Sequence, residues 1–323
     1  MKLDRRALLV AAAVSAPALV RPAFGAPDAD VAAAVARFAT LPANASCLVE
    51  ADHPERPWKA SHVPDALLFV GSAVKTFILA QYLRDVEAGR LSEDEQKSID
   101  AAVRSPGSPV FLNLTGTTPA RSVLEAMIAH SDNTATDVAL ATVGVERVRA
   151  LIAEAGLSRT RIPASTRRLF SYLAGEAEGV DLGWDGMKRM ATGSLPGPAR
   201  SPMNERETMV STADEMVRWY RRALKGEFFQ KPGTLTEFKR IQAMADAIAL
   251  VVPPDTAAYA KGGSIDWQDF HCFSLPGQMI VRGIPVTFCF TINWTGPDDS
   301  VAPMFGLLRE RVADVLRQAA AAV

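Results

Sequence analysis

The chain has 323 residues, 48% of them hydrophobic and 22% charged, with a formal net charge of -1. This is the composition of a soluble globular protein with room for one large domain or two intimate ones. So even a balance gives no reason for a nucleic-acid or anionic-membrane partner, and the 3 cysteines (Cys47, Cys272, Cys289) and 4 histidines (His53, His62, His130, His271) lack metal-ligand spacing, which argues against a zinc enzyme.

At the N-terminus, Lys2, Arg5 and Arg6 precede an alanine-rich apolar run from Ala7 to Val20, and Ala23-Phe24-Gly25 offers the small residues of a cleavage site. The pattern predicts a twin-arginine export signal over 1–25 and a periplasmic or secreted protein over 26–323. An uncleaved anchor is the alternative, although the run is short for a membrane span. A short helix is expected over 29–40, a strand over Ser46–Glu50, and an extended segment over Ala66–Val70. That segment leads into Gly71-Ser72-Ala73-Val74-Lys75 and an amphipathic helix carrying Val74, Phe77, Ile78, Leu83 and Val86, ended by Gly89.

Residues 91–112 read as irregular, with a turn at Ser105-Pro106-Gly107-Ser108-Pro109. Thr118-Pro119 reads as a helix start, a capping hydroxyl followed by proline at the first helical position. That helix breaks at His130-Ser131-Asp132-Asn133, and helical patterns resume over Thr134–Val143 and Glu146–Ala155. The stretch 163–205, rich in glycine and proline, reads as irregular with some helix near Trp184–Met190. Another amphipathic helix is expected over Thr212–Ala223. Strands then follow at Ala257–Ala260, Phe270–Leu275 and, after a turn at Pro276-Gly277, Met279–Val281. Val286–Trp294 alternates strictly, as a half-buried antiparallel strand does, and a final helix over Pro303–Ala320 would cover the sheet.

Ser72 and Lys75 stand one helical turn apart, a possible nucleophile and base, although a capping serine and a solvated lysine share that spacing. With Ser131-Asp132-Asn133 and Lys261-Gly262-Gly263 the set is more specific. It resembles the S-x-x-K, S-D-N and K-T-G motifs of the penicillin-recognising serine hydrolases, the family of class A β-lactamases and D,D-peptidases. Each lies in the context the family requires: a helix start, an inter-helix turn and a strand near the C-terminus. The resemblance implies an α+β (α/β) fold, an antiparallel sheet flanked by helices (about 26–68 and 210–323) plus an all-helical subdomain (about 69–209).

It also implies roles. Ser72 is the nucleophile and Lys75 its base, with a pKa lowered by a second cation, Lys261, and by the helix start. Ser131 relays the proton, and Asn133, Gly262 and Gly263 bind substrate. The backbone N–H groups of Ser72 and Ser264 form the oxyanion hole, and Lys261 attracts a substrate carboxylate. No metal or cofactor is implied, and the partner is a small acyl donor.

Two departures matter. Gly262 stands where a hydroxyl residue is usual. The Glu-x-x-Leu-Asn sequence whose glutamate activates the deacylating water in class A β-lactamases is missing from residues 134–210; its place corresponds to about Arg161–Leu169. Glu176, Glu178, Asp181 and Asp185 are the other loop carboxylates, and Arg167 and Arg168 are candidate contacts to an acidic substrate. The expectation is therefore an exported serine hydrolase that forms an acyl-enzyme on Ser72 and opens β-lactams or related cyclic amides, with slow deacylation. The alternatives are an esterase or D,D-peptidase of the same fold, and a non-catalytic binding protein that retains it.

Overall fold

A computed structural model describes residues 24–323, so all but the last two residues of the expected export signal lie outside the described part. In chain order the elements are α1 (Ala29–Phe38), β1 (Asn44–Ala51), β2 (Trp58–His62), β3 (Leu68–Phe69), a 3-10 turn (Gly71–Val74), α2 (Lys75–Glu87), β4 (Gln96–Ile99), β5 (Gly116–Pro119), α3 (Ala120–Ala129), α4 (Asn133–Val143) and α5 (Val145–Glu154). The chain continues through α6 (Thr166–Leu173), α7 (Gly183–Ala191), β6 (Val210–Ser211), α8 (Ala213–Ala223), α9 (Pro232–Gln242), α10 (Ile248–Val251), β7 (Ala257–Ala260), β8 (Gly263–Trp267), β9 (Phe270–Val281), β10 (Ile284–Thr295) and α11 (Val301–Ala321). This is the mixed architecture expected, helices around an antiparallel sheet.

The main sheet runs β2-β1-β10-β9-β7, with β8 also paired to β9 beyond the end of β7. One face is covered by α1 and α11, which bury Val31, Val35, Phe38, Leu308, Val312 and Leu316 on Val49, Phe288 and Phe290. α8 covers the other face, setting Met216, Val217 and Tyr220 against it. α2 runs through the middle of the helical layer, against α3, α4, α5 and α9. Its sequence pattern suggested an amphipathic helix, yet Ala80, Gln81 and Tyr82 on its other side are buried too. Neighbours on every side leave it no solvent face. Thr76 ties it in place: its hydroxyl accepts from Trp219 Nε1 (3.0 Å) and Gln242 Nε2 (2.8 Å), and Gln242 Oε1 accepts from Tyr220 (3.2 Å).

Several local expectations are corrected. Thr118-Pro119 does not open α3: Thr118 and Pro119 end β5, and the free N–H groups of Ala120 and Arg121 go to the carbonyls of Glu95 (2.9 Å) and Glu93 (2.8 Å). Backbone carbonyls thus replace the capping hydroxyl. Pro276-Gly277 is no turn, because β9 passes straight through it. Pro276 lies opposite Cys289, and Gly277 fits under the Tyr259 carbonyl and the Phe288 ring where a Cβ would be 2.7 and 3.1 Å away. The strand read as half-buried, β10, is buried on both faces. Its polar side chains find partners: Thr291 with Ser274 (2.8 Å), Thr287 with Gln278 (2.8 Å), and Asn293 with the backbone of Phe69. The three cysteines are free and buried; Cys47 is opposite Phe290, so it and Cys289 face opposite sides of the sheet.

Asn293 also fixes the segment that carries Ser72. Its Oδ1 accepts from Phe69 N (2.8 Å) and its Nδ2 donates to Phe69 O (2.9 Å), two residues before the 3-10 turn. Asn293→Leu keeps the volume and strands a buried N–H, so it should cost about 1–3 kcal/mol. Urea unfolding measures this, and an unchanged midpoint would show that the clamp contributes nothing.

Candidate active site

The site is built on a contact between two backbones. Gly71 takes φ +53° and Ser72 follows it in the 3-10 turn, half-buried. The first residues of β8 press against this turn. A Cβ on Gly263 would lie 2.0 Å from Val70 O and 2.8 Å from Ser72 N, and one on Gly71 would lie 2.8 Å from Ser264 N. No side chain fits at either place, so both glycines are required on steric grounds. The approach sets the Ser72 and Ser264 backbones side by side.

Lys75 opens α2 and is fully buried. Its Nζ has three oxygen neighbours: Ser131 O at 2.6 Å, Asn133 Oδ1 at 2.8 Å and Ser131 Oγ at 3.3 Å. The carbonyl and the amide oxygen only accept, whereas the hydroxyl can also donate. Lys75 Nζ donates to all three. Burial, and then the nearby charge of Lys261, hold the Lys75 pKa well below the ordinary lysine range, against the opposing pull of Asp132 and Asp137. Ser72 Oγ makes no hydrogen bond among the described residues.

The second motif is held by its middle member. Asp132 caps α4 through Ala135 N (2.8 Å), and its other oxygen accepts from Val110 N (2.9 Å) and Phe111 N (2.8 Å). This anchors the 105–112 segment, to which Asn133 Nδ2 adds a bond at Pro106 O (2.7 Å). Ser131 takes φ +58°, a conformation costly to a residue other than glycine, and it brings both of its oxygens within reach of Lys75. The function of Asp132 as a pin, rather than a reacting group, is set by these three backbone bonds.

Lys261 and Gly262 occupy the gap between β7 and β8. Pro276 faces that gap, accepting from Lys261 N (3.3 Å) and offering no N–H to continue the ladder. Lys261 is buried, its Nζ donates to Gly262 O (2.6 Å), and burial pulls its pKa down to about 7 against the pull of the Asp246 carboxylate. Ser131, Lys261, Gly262, Gly263 and Ser264 share one cavity wall. The structure therefore brings together all the sequence-derived site residues: Ser72, Lys75, Ser131, Asn133, Lys261, Gly262, Gly263 and Ser264.

The loop carboxylates do not join them. Asp181 pairs with Arg167 (2.5 Å), Glu178 with Arg206 (3.5 Å) and Asp185 with Lys188 (2.6 Å), while Glu176 lends its backbone carbonyl to Arg200. Arg167, bound to Asp181 and to the carbonyls of Ala101 and Arg104, is not free for substrate. The loop is also more regular than its glycines suggest, since it forms α6 and α7 and docks Trp267 Nε1 onto Arg200 O (3.0 Å). Within α6, Thr166 and Leu169 are buried, and no glutamate is present in the helix.

A carboxylate that the sequence reading passed over lies behind this loop. Asp137, one turn after Asn133 on α4, accepts from Thr166 N (2.6 Å) and Arg167 N (3.2 Å). Burial raises its pKa against the pull of these donors. The buried hydroxyls of Thr166 and Ser105 stand beside it outside good hydrogen-bond geometry. Its only sequence signal is the four-residue spacing from Asn133. Among the described residues no cluster of three potential metal ligands occurs, and no helix is long and apolar enough to cross a membrane.

This fold and this grouping of motifs are those of a penicillin-recognising serine hydrolase. The sequence profile of the beta-lactamase enzyme family matches residues 33–272, and the chain belongs to that family. No curated protein matches it significantly in sequence. Among solved structures, a β-lactamase from Sphaerobacter thermophilus aligns with TM-score 0.68 at 18% identity, over 90% of this chain and 95% of its own. The chromosome-encoded β-lactamase of Vibrio parahaemolyticus aligns with TM-score 0.69 at 18% identity, over 90% and 98%. PBP-A aligns with TM-score 0.69 at 14% identity, over 92% and 97%, and a PBP-A mutant was solved as an acyl-enzyme complex with penicillin G.

The buried lysines carry a signed pH dependence. Lys261 has its folded pKa near 7, below the ordinary lysine value of 10.5, so between those limits the unfolded chain binds the proton and the folded one does not. Its contribution to stability therefore rises with pH across that window. Lys261→Met removes the contribution. The melting-temperature gap between this variant and the parent should favour the variant at pH 7 and narrow as pH rises toward 10; a gap independent of pH would refute the assignment.

Proposed function

We propose that the protein is an exported serine hydrolase that forms an acyl-enzyme on Ser72 and opens β-lactams or related cyclic amides. The observation that carries this reading is the buried Lys75 Nζ within hydrogen-bond distance of the Ser131 hydroxyl and one turn from Ser72, with its pKa held well below the ordinary lysine range. Attack forms the bond from Ser72 Oγ to the acyl carbon and breaks the bond to the leaving nitrogen or oxygen. The Ser72 proton passes to the Lys75–Ser131 pair, and Ser131 delivers a proton to the leaving atom. The Ser72 and Ser264 N–H groups receive the developing negative charge, and Lys261 supplies positive potential. The penicillin acyl-enzyme of a fold neighbour supports the first half of this cycle.

The second half is slow in this reading. Thr166 brings no carboxylate to the loop, and both oxygens of Asp137 are held by backbone N–H groups. Loss of a general base costs a factor of about 100 to 10,000. The same observation favours, as a second reading, an esterase or D,D-peptidase that penicillin traps. Intact-mass spectrometry with a penicillin and a cephalosporin tests the proposal: an adduct should form on the parent, persist far longer than its formation time, and be absent from Ser72→Ala. Labelling that survives in Ser72→Ala would move the nucleophile elsewhere. Export rests on residues 1–25 and is tested by locating the processed protein in a secreting host.

The two lysines also separate substrates by charge. The rate constant kcat/KM reports the free enzyme, in which Lys261 loses its charge near pH 7. Acylation by an anionic donor should fall as pH rises through about 7, while acylation by a neutral ester should not. Parallel profiles for the two donors would remove Lys261 from anion binding.

A further inference from the structure

A cavity of about 280 Å³ opens where the chain enters and leaves the loop that carries α6 and α7. Arg149 and Ile152 of α5, Arg161 and Ile162 at the loop entry, and Glu205 and Arg206 at its exit line it. None of the residues gathered around Lys75 belongs to this lining, so the cavity is separate from the active site.

Arg161 is the group that lacks a partner. Its backbone is paired with Val210 in both directions (2.9 and 3.3 Å), so the half-buried side chain starts from a fixed base. A guanidinium carries five N–H donors. Among the described residues this one makes a single bond, a long one of 3.5 Å to Glu205 O, and no ion pair. The other two guanidiniums are partly engaged: Arg149 with Glu146 (2.7 Å) and Ile162 O (3.1 Å), and Arg206 with Glu178 at 3.5 Å.

Charge and floor together select the ligand. Three guanidiniums against the two carboxylates of the lining, Glu178 and Glu205, leave one positive charge. A monoanion matches it, whereas the second charge of a phosphate or a dicarboxylate would meet the glutamates. The guanidinium fork fits a planar carboxylate in particular. Below the charges, Ile152 and Ile162 are buried and apolar. Thr160, also in the lining, already donates its hydroxyl proton to Glu215 (2.7 Å). An apolar cavity of about 150 Å³ holds a benzene ring, so this one has room for a ring and a carboxylate.

We infer that this cavity binds a monocarboxylate with a compact apolar body, an aryl or cycloalkyl acid, through Arg161. The bound acid ties the entry of the loop to its exit. The inference does not depend on the chemistry of Ser72.

Calorimetric titration with benzoate, acetate and inorganic phosphate at constant ionic strength tests it. Benzoate should bind with a Kd on the order of 1 mM, as a ligand of this size implies. Acetate, which has the charge without the ring, should bind at least about 10-fold more weakly, because it leaves the isoleucine floor uncovered. Arg161→Gln should weaken benzoate at least about 10-fold by removing the charged donors. Its side chain makes only the long bond to Glu205 O, so the fold should survive; Arg149→Gln is the second variant should it not. Lys261→Met should leave benzoate binding unchanged, and benzoate should slow amide exchange over 174–206 in the parent. Binding lost in Lys261→Met and kept in Arg161→Gln would put the acid in the catalytic cavity and overturn the inference. Equal affinity for phosphate or acetate would overturn the ligand class. The absence of saturable benzoate binding below about 20 mM would overturn the site.

Discussion

Everything in the site depends on a contact in which no methyl group has room. Gly263 lies so close to the Ser72 turn that a Cβ would overlap Val70 O, and Gly71 is equally crowded by Ser264. The contact joins two segments almost 200 residues apart in the chain. It aligns the start of β8 with Ser72, leaves Lys261 in the gap before β8, and thereby sets the distance between the two lysines. Behind it, the Asn293 clamp on Phe69 and the Thr76–Trp219–Gln242 cluster keep the turn and α2 from shifting. The electrostatics follow from this packing, because amines that close and that dry cannot both hold a proton at ordinary cost.

The local motifs were legible in the sequence because each is short and each rests on backbone geometry that few residues satisfy. Ser72-x-x-Lys75, Ser131-Asp132-Asn133 and Lys261-Gly262-Gly263 were read in order, and the fold places them together. What escaped reading depends on partners far away in the chain. Segment 224–256 suggested no element, yet holds α9, whose N-cap Lys231 gives no capping bond and whose role is to back α2. Asp137 looked like any helical aspartate until α6 delivered the Thr166 N–H to it. Thr118-Pro119 looked like a cap because the carbonyls that displace the hydroxyl come from β4's approach, which propensity does not encode. Alternation in β10 implied a wet face, and only the packing of α8 dries it.

The loop after Arg161 is held to the scaffold independently of the groups gathered around Lys75. Leu169 remains in the core and Asp137 still pins the first turn of α6. The carboxylates that the loop does carry hold the loop to itself and its neighbours through Arg167, Arg206 and Lys188. The groups gathered around Lys75 are thus fixed by α2, α4 and the segment before β8, and the loop carboxylates are not among them.

The gap between β7 and β8, which Pro276 faces, has an effect beyond the placement of Lys261. An uninterrupted strand from Ala257 to Trp267 would expose a long row of free backbone donors and acceptors at the edge of the main sheet. Such edges recruit strands from other chains. Here the edge is divided into a four-residue piece and a five-residue piece, with a buried lysine and a bare glycine between them. β7 and β8 nevertheless keep one register against β9, so the two residues between them, Lys261 and Gly262, are held in line with the sheet while they face the cavity.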